Sequence, residues 1–308
     1  MDTISHGLAG VLAAKAGFRQ RLGSYATAAL LISAVFPDVD FVASLWGPFA
    51  SLKFHRSITH SFLGVTVAAF LLGGIFRLLS GRKNYWGFAG ICAIGTFSHM
   101  VFDLMTSFGT QLFSPFNTER YSLDWIFILD PVITLSALVP LILMRGRPAR
   151  ALRCARVGVA VLVGYLVITG IGHSIAVKRF EASLKEAGIR YDTVAALPGF
   201  LGPFRWSGLA KGEGTVYRSQ FNILFSSEVK MEKFVSSAPN RYIEAARDLD
   251  EVKLYFWFAR FPVEVYFSNG QEHTVEYSDV RFRLSNRRNP FFLKVVMNQE
   301  ARVVRVEF

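Results

Sequence analysis

The chain has 308 residues, 52% of them hydrophobic, and a formal net charge of +11. This apolar content excludes an ordinary water-soluble globule, and the length allows two domains. Much of the positive charge lies in short loops beside apolar runs, so the orientation of membrane helices explains it more simply than nucleic-acid binding does.

Six apolar runs occupy the first part of the chain. They cover residues 4–18, 24–36, 59–79, 85–106, 125–144 and 157–176. The last four have about the 20 residues that a membrane-spanning helix needs, whereas the first two are short enough to be half-buried. The sequence therefore predicts a membrane all-α helical bundle of about six membrane helices or half-helices in residues 1–176.

Basic residues cluster in loops that would lie on one side of this bundle. If six segments alternate in direction, Arg19, Arg21, residues 77–83 and residues 145–156 all fall on the same side. The positive-inside rule places that side in the cytoplasm. Both termini, and everything that follows the sixth run, are then expected on the extracytoplasmic face.

Residues 177–308 show a different pattern. An amphipathic helix is predicted at 177–188, and a second helical pattern covers 241–260. Asn269 and Gly270 stand between two strand-like runs and are a strong hairpin signal. The predicted strands are residues 216–225, 262–267, 272–284, 291–297 and 302–308. We expect an α+β, mainly antiparallel extracytoplasmic domain.

The fourth apolar run carries a histidine and an aspartate at membrane depth. His99 and Asp103 are four residues apart, so both side chains leave the same face of a helix. Such groups are costly in a bilayer unless they are paired, bound to a metal or exposed to water. The pair therefore indicates a functional site.

The predicted topology brings further metal-ligand residues to the same membrane face. Imidazole and carboxylate groups together suit Zn²⁺, with Mn²⁺ or Fe²⁺ as alternatives. The number of donors allows one or two ions, and two ions would suit phosphoester hydrolysis. The predicted metal ligands are His6, Asp38, Asp40, His60, His99 and Asp103, with His55 as a further member of the cluster.

Each of these residues also has a purely structural interpretation. His6 fits an interfacial position, and either Asp38 or Asp40 fits a turn at a helix end. His55 fits a hydrogen-bonded loop, and His99 with Asp103 fits a buried ion pair. Together these interpretations require many coincidences at one end of one bundle, so a metal site is favoured.

Four ordered motifs carry a family resemblance. They are SHGLAG with His6, PDVD with Asp38 and Asp40, HRSITHS with His55 and His60, and SHMVFDLMTSFGT with His99 and Asp103. In this order they resemble the YdjM-like family of bacterial inner-membrane proteins, which are regarded as metal-dependent hydrolases, over about residues 1–176. The resemblance implies a multi-pass protein of the bacterial inner membrane.

The order of ligands is also distantly similar to that of zinc-dependent phospholipase C and P1 nuclease. This similarity implies that His6, one PDVD aspartate, His60, His99 and Asp103 bind zinc. The second His-x3-acid pair of those enzymes is absent, because Val177 follows His173 at that spacing, so one or two ions are expected. Asp130, Glu119 and Asp124 are candidates for a further ligand.

The sequence thus predicts a membrane-bound metal-dependent hydrolase acting on a phosphoester or lipid-linked substrate. The catalytic candidates are Arg56, which would hold a phosphate oxygen, Asp40, which would accept a proton, and His55. Two alternatives stay open. A transporter or proton pathway would use the same intramembrane groups, although the cytoplasmic halves of runs three to six lack acids and histidines. A non-catalytic scaffold would hold a structural metal.

Overall fold

The computed structural model describes residues 1–145, 148–200, 202–225, 230–283 and 291–308. Arg147 of the basic loop and the end of the strand predicted at 272–284 lie outside the described residues. The chain divides into two compact units. The first comprises Met1–Leu45, Phe54–His173 and Pro198–Phe204, and the second comprises Trp46–Lys53, Ser174–Leu197 and Arg205–Phe308.

Helices form the first unit. The α-helices are α1 (Thr3–Ala13), α2 (Arg19–Leu22), α3 (Tyr25–Val35), α4 (Pro48–Phe54), α5 (Phe62–Ser80), α6 (Tyr85–Leu104), α7 (Pro131–Leu143) and α8 (Ala151–Glu186). A π-helical turn, Ala14–Phe18, joins α1 to α2. Two 3₁₀ segments matter for the site: Phe36–Trp46 follows α3, and Ile58–His60 precedes α5. Except for Phe54, helix α4 belongs to the second unit, as does α8 from Ser174 onward.

Among the described residues, four helical segments are long and apolar enough to cross a membrane. They are Tyr25–Trp46, Phe62–Ser80, Tyr85–Leu104 and Ala151–Glu186. The prediction of about six membrane segments is confirmed only for these four. The first predicted run is interrupted at Gly17, whose φ of 156° is not helical, and α7 is only 13 residues long.

Close helix contacts bring the ends of α3 and α6 together. At Gly95 of α6, an added Cβ would lie 1.9 Å from Ser33 Oγ and 3.0 Å from the Ala34 nitrogen of α3. Only a residue without a side chain fits this contact. Gly95 lies one turn before His99, so the contact sets how closely His99 approaches the end of α3.

The opposite ends of these helices carry the basic residues. The Arg156 side chain donates a hydrogen bond to the Ala16 carbonyl, and the Arg82 guanidinium lies against Gly23. The first contact joins the start of α8 to the π-helical turn after α1, and the second joins the residues that follow α5 and α2. Charge is therefore distributed unevenly along the bundle, as the positive-inside interpretation of the sequence requires.

The described part of the second unit contains two four-stranded sheets. The first has the order β1 (Thr193–Pro198), β2 (Arg205–Gly212), β3 (Thr215–Asn222), β4 (Glu232–Val235). The second has the order β5 (Pro262–Ser268), β6 (His273–Asp279), β7 (Phe292–Met297), β8 (Val303–Glu307). The paired strands from β2 to β4 and from β5 to β8 are antiparallel, which confirms the predicted mainly antiparallel arrangement.

Local differences from the prediction have local causes. The predicted hairpin at Asn269 and Gly270 is present. The Asn269 side chain accepts hydrogen bonds from the backbone N–H groups of Gln271 and Glu272. Strands β1, β2 and β4 were not predicted. The helix predicted over 241–260 is two helices, α9 (Arg241–Arg247) and α10 (Asp250–Phe258), because Leu249 has an extended backbone. Helix α10 and α9 pack on the β5–β8 sheet through Tyr255 and Ile243.

Candidate metal centre

Three separate segments deliver four potential metal ligands to one point. Asp38 lies in the 3₁₀ segment after α3, His60 ends the 3₁₀ turn before α5, and His99 and Asp103 lie in the last turns of α6. One ligand atom from each residue lies within 4.8 Å of all the others. His60, His99 and Asp103 have fully buried side chains, whereas the Asp38 side chain is 13% exposed.

The distances within this cluster suit a small cation. The two imidazole Nε2 atoms are 3.0 Å apart. His60 Nε2 lies 3.7 Å from Asp38 Oδ1 and 3.1 Å from Asp103 Oδ2, and His99 Nε2 lies 3.4 Å and 3.6 Å from the same two atoms. A tetrahedral Zn²⁺ site with bonds of about 2.0–2.1 Å has ligand separations of ~3.3 Å. The four donors therefore fit one such ion.

Hydrogen bonds at the far side of each imidazole fix its tautomer. His99 Nδ1 lies 2.6 Å from the Ala34 carbonyl oxygen, and His60 Nδ1 lies 3.0 Å from Asp40 Oδ2. His60 Nδ1 also lies 3.0 Å from Thr59 Oγ1, whose hydroxyl donates to Asp40 and so can only accept from the ring. Since carbonyl and carboxylate oxygens can only accept, each neutral ring must carry its proton on Nδ1. Both Nε2 lone pairs then point into the cluster. This is the arrangement by which outer hydrogen bonds orient metal-binding histidines.

The pKa of His60 also indicates that the cluster favours a cation. Burial disfavours the protonated ring, but hydrogen bonds with Asp103, Asp38 and Asp40 outweigh burial and raise the His60 pKa to about 10. Four inward-facing acceptors therefore require positive charge at their centre. A proton on His60 supplies it in part, and a divalent ion would supply it with ligation to all four residues.

Asp103 is held from several sides. Arg56 Nε lies 2.9 Å from Asp103 Oδ2, and Arg56 also donates to the Asp103 carbonyl at 3.2 Å and to Thr106 Oγ1 at 2.6 Å. The Met1 amino group also contacts this carboxylate. Arg56 is 1% exposed, so the structure places it against a candidate ligand rather than at an open surface.

His6 lies beside the four-residue cluster. Its Nε2 is 3.1 Å from Asp103 Oδ1, and its ring stacks on His99 with centroids 3.6 Å apart. Among the described residues its buried Nδ1 has no hydrogen-bond partner. His6 therefore adjoins the cluster and contacts one of its carboxylates without belonging to the group of four.

Asp40 lies behind His60 rather than in the cluster. Its Oδ2 accepts hydrogen bonds from the Arg56 backbone N–H at 2.9 Å and from Thr59 Oγ1 at 2.7 Å, in addition to the His60 contact. Its Oδ1 accepts from His55 Nδ1 at 2.8 Å. Asp40 thus joins His60 to His55, whose side chain is 17% exposed.

The other acids considered as ligands have separate roles. Asp130 caps α7 by accepting from the Val132 and Ile133 N–H groups, and its second oxygen accepts from the Tyr165 hydroxyl. Glu119 is bonded to Tyr121 on the surface. The contacts of Thr59 with Asp40 and His60 were not predicted. The contact of the Ala34 carbonyl with His99 was not predicted either, since no residue type marks a backbone oxygen as a partner of histidine.

Comparison with known proteins gives one match. The family model described as YdjM inner membrane protein matches residues 1–176, which contain all four clustered residues. Comparison with curated proteins and with solved structures gave no match. Because the family model covers more than half of the 308 residues, the chain belongs to the YdjM inner membrane protein family.

Proposed function

We propose that this protein is a membrane-bound metal-dependent hydrolase that cleaves phosphoesters. The observation that carries the proposal is the convergence of two imidazoles and two carboxylates. The Nδ1 atom of each imidazole already has a hydrogen-bond partner, so that Nε2 faces the cluster. Two nitrogen and two oxygen donors suit Zn²⁺ best, with Mn²⁺ or Fe²⁺ as alternatives. A bound divalent ion would act as a Lewis acid that polarises the ester and lowers the pKa of water.

Residues of the chain would orient the ion's ligands. Asp40 accepts from His60 Nδ1 and would hold that ring in the tautomer needed for ligation. Arg56 fixes Asp103 and adds positive charge that would favour an anionic ester at the centre. Both residues were predicted as catalytic, and their positions fit supporting roles.

His55 is the proposed proton acceptor. Its Nδ1 faces Asp40, so the neutral ring carries its proton there and leaves Nε2 free to accept one. It is also the more exposed member of the Asp40–His55 pair, with 17% of its side chain accessible. In hydrolysis, the oxygen of water would bond to phosphorus and the ester P–O bond would break. The water proton would pass to His55 and then to the leaving oxygen, which departs as an alcohol.

The site is proposed to face the extracytoplasmic side of the inner membrane. The supporting observation is that the candidate ligands and the basic residues lie at opposite ends of the same helices. His60 precedes α5 while Arg77 lies near its end, and Asp103 lies near the end of α6 while Lys83 precedes its start. The positive-inside rule then assigns the basic end to the cytoplasm.

A structural metal centre is the second candidate function. Four protein donors can fill a tetrahedron, and three of them are fully buried. Such closed coordination is typical of structural zinc. The two functions differ in whether the ion keeps a site for water. Addition of azide to the Co²⁺-substituted protein would change its visible absorption spectrum only if the ion keeps such a site.

The activity itself is tested with bis(p-nitrophenyl) phosphate. The purified full chain should release p-nitrophenolate when loaded with Zn²⁺ or Mn²⁺ and lose this activity on chelation. His99→Ala should abolish both metal binding and turnover. Equal turnover by the wild type and a metal-free His99→Ala protein would contradict the proposal.

A further inference from the structure

The 3₁₀ segment that carries Asp38 also carries an exposed apolar row. A 3₁₀ helix has three residues per turn, so side chains three apart are aligned. Val39, Val42 and Leu45 form such a row along Phe36–Trp46 and are 54%, 49% and 79% exposed. Asp40 and Ala43 share another row, which faces inward: Ala43 is buried, and Asp40 is bonded to His60.

This row lies in the same 3₁₀ segment as a candidate metal ligand. Val39 directly follows Asp38, the one residue of the four-donor cluster whose side chain is measurably exposed. Phe41, in the same turn, is 62% exposed, and its ring meets the His55 ring edge-on with centroids 5.7 Å apart. Exposed apolar side chains of this segment therefore lie close to Asp38 in the chain and in contact with His55.

Helix α1 contributes to the same region. Thr3 Oγ1 donates to Asp38 Oδ2 at 2.5 Å, and the next residue, Ile4, is 72% exposed. Polar groups in this region thus lie close to Asp38 and His55, while the side chains around them are apolar. A water-soluble ester would gain nothing from these apolar side chains, whereas an alkyl chain would remain in an apolar environment along them.

Resting on the proposed hydrolase function, we propose that the substrate is an amphiphilic phosphoester that enters from the bilayer. Its anionic head group would reach the centre beside Asp38, and its alkyl chain would lie along the row formed by Val39, Val42 and Leu45. This segment belongs to the candidate membrane span Tyr25–Trp46, so a lipid chain has direct access to the row. The site would then select substrates by their chain as well as by their ester.

Two esters with one leaving group test this inference. Methyl p-nitrophenyl phosphate and hexadecyl p-nitrophenyl phosphate differ only in the alkyl chain. Attack of water at phosphorus breaks the P–O bond to the aryl group of either ester and releases p-nitrophenolate and an alkyl phosphate. With the Zn²⁺-loaded full chain in nanodiscs, kcat/KM for the hexadecyl ester should exceed that for the methyl ester at least about tenfold, because buried methylenes favour binding.

A variant of the apolar row tests whether these side chains cause the preference for the hexadecyl ester. The triple change Val39→Ser, Val42→Ser and Leu45→Ser should retain bound zinc but reduce the hexadecyl-to-methyl ratio to within about threefold of unity. The matched control is Leu71→Ser, Ile75→Ser and Leu78→Ser on α5, whose side chains are 64%, 50% and 72% exposed. The control should keep the wild-type ratio.

The outcomes separate this inference from the proposed function. Hydrolysis of both esters at equal efficiency by the wild type would overturn the amphiphile inference and leave the hydrolase intact. A wild-type ratio in the row variant would mean that bilayer partitioning alone concentrates the ester, and an equal fall in the row variant and in the α5 control would mean that the effect is not specific to the row. Either result would also overturn the inference. Hydrolysis of neither ester by zinc-loaded protein would overturn both proposals.

Discussion

The Nε2 atoms of His60 and His99 face each other across 3.0 Å, while the Nδ1 atom of each ring faces an oxygen that can only accept a proton. Two neutral rings held in this way have no proton between them. With the carboxylates of Asp38 and Asp103 at the same point, the donors favour positive charge at the centre, in addition to the charges of Arg56 and the Met1 amino group that contact Asp103. A metal ion would supply this charge most directly.

Loss of one ligand charge should remove the metal. Asp103→Asn keeps the shape of the side chain but removes the negative charge, and we expect metal affinity to fall at least about 100-fold. Chelator competition with purified protein measures the change. Glu119→Gln, which neutralises an acid bonded to Tyr121 on the surface, is the control and should bind metal as the wild type does. Normal affinity in Asp103→Asn would refute the assignment.

Asp40→Asn should have a smaller effect on affinity. Asp40 orients His60 without entering the cluster, so we expect metal affinity to fall about 10- to 100-fold, as is usual for outer partners of metal-binding histidines. The same chelator competition distinguishes the two aspartates. A loss as large as that of Asp103→Asn would show that Asp40 is itself a ligand.

Metal affinity should fall as the pH is lowered. Burial opposes the His60 proton, but hydrogen bonds with Asp103, Asp38 and Asp40 raise the His60 pKa to about 10. An ion must displace this proton at any lower pH, so affinity should decrease about tenfold per pH unit. In the metal-free protein, the stabilising effect of the His60 proton should be complete below the unfolded pKa of about 6.5 and disappear above about 10.

Calorimetric titration in buffers of different ionisation enthalpy measures how many protons are released when the metal binds. About one proton per bound ion is expected near neutral pH from His60. Binding without proton release would contradict the assigned hydrogen bonds of this residue.

Close packing of α3 and α6 should be necessary for the site. A Cβ at Gly95 would lie 1.9 Å from Ser33 Oγ, so Gly95→Ala should separate the helices and weaken the contact between His99 and the Ala34 carbonyl. We expect lower thermal stability and lower metal affinity. Gly90→Ala on the same helix meets nothing within 4 Å and should leave both properties unchanged. Equal behaviour of the two variants would contradict this packing argument.

Thiol labelling should establish the orientation of the bundle. In a chain whose Cys92 and Cys154 are replaced by alanine, a cysteine at Thr118 should react with an impermeant maleimide added to spheroplasts. A cysteine at Lys83 should react only after the membrane is permeabilised. The reverse pattern would place the candidate metal centre on the cytoplasmic side.

Residue spacing predicts most of the residues at the site, but it does not predict which of them are candidate ligands and which support those ligands. The spacing of His99 and Asp103 fixes their common helix face, and alternation of the apolar runs brings His60 and the PDVD motif to the same end. The spacing could not separate Asp38 from Asp40. That distinction depends on the 3₁₀ geometry of Phe36–Trp46, which turns Asp38 toward His99 and Asp40 toward the back of His60.

For the fold, too, the sequence predicts some elements and not others. Long apolar runs identify α5, α6 and α8 because hydrophobicity alone decides their membrane character. Strands β1, β2 and β4 belong to a sheet in which each strand pairs with its neighbour in the chain, and β2 and β3 form a hairpin around Glu213 and Gly214. Their strand character depends on packing against neighbouring strands as well as on local sequence, so it was not predicted. Arg56 illustrates the point for a single residue: the sequence predicts that it holds a phosphate oxygen, whereas packing buries it against Asp103.

X-ray absorption spectroscopy of the zinc-loaded full chain tests the central claim most directly. The account predicts one zinc site with about four nitrogen or oxygen ligands at about 2.0–2.1 Å and the outer-shell scattering of two imidazoles. The Asp103→Asn protein should lack this signal. Zinc bound through sulfur, zinc without imidazole scattering, or an unchanged spectrum in Asp103→Asn would contradict a metal centre formed by Asp38, His60, His99 and Asp103.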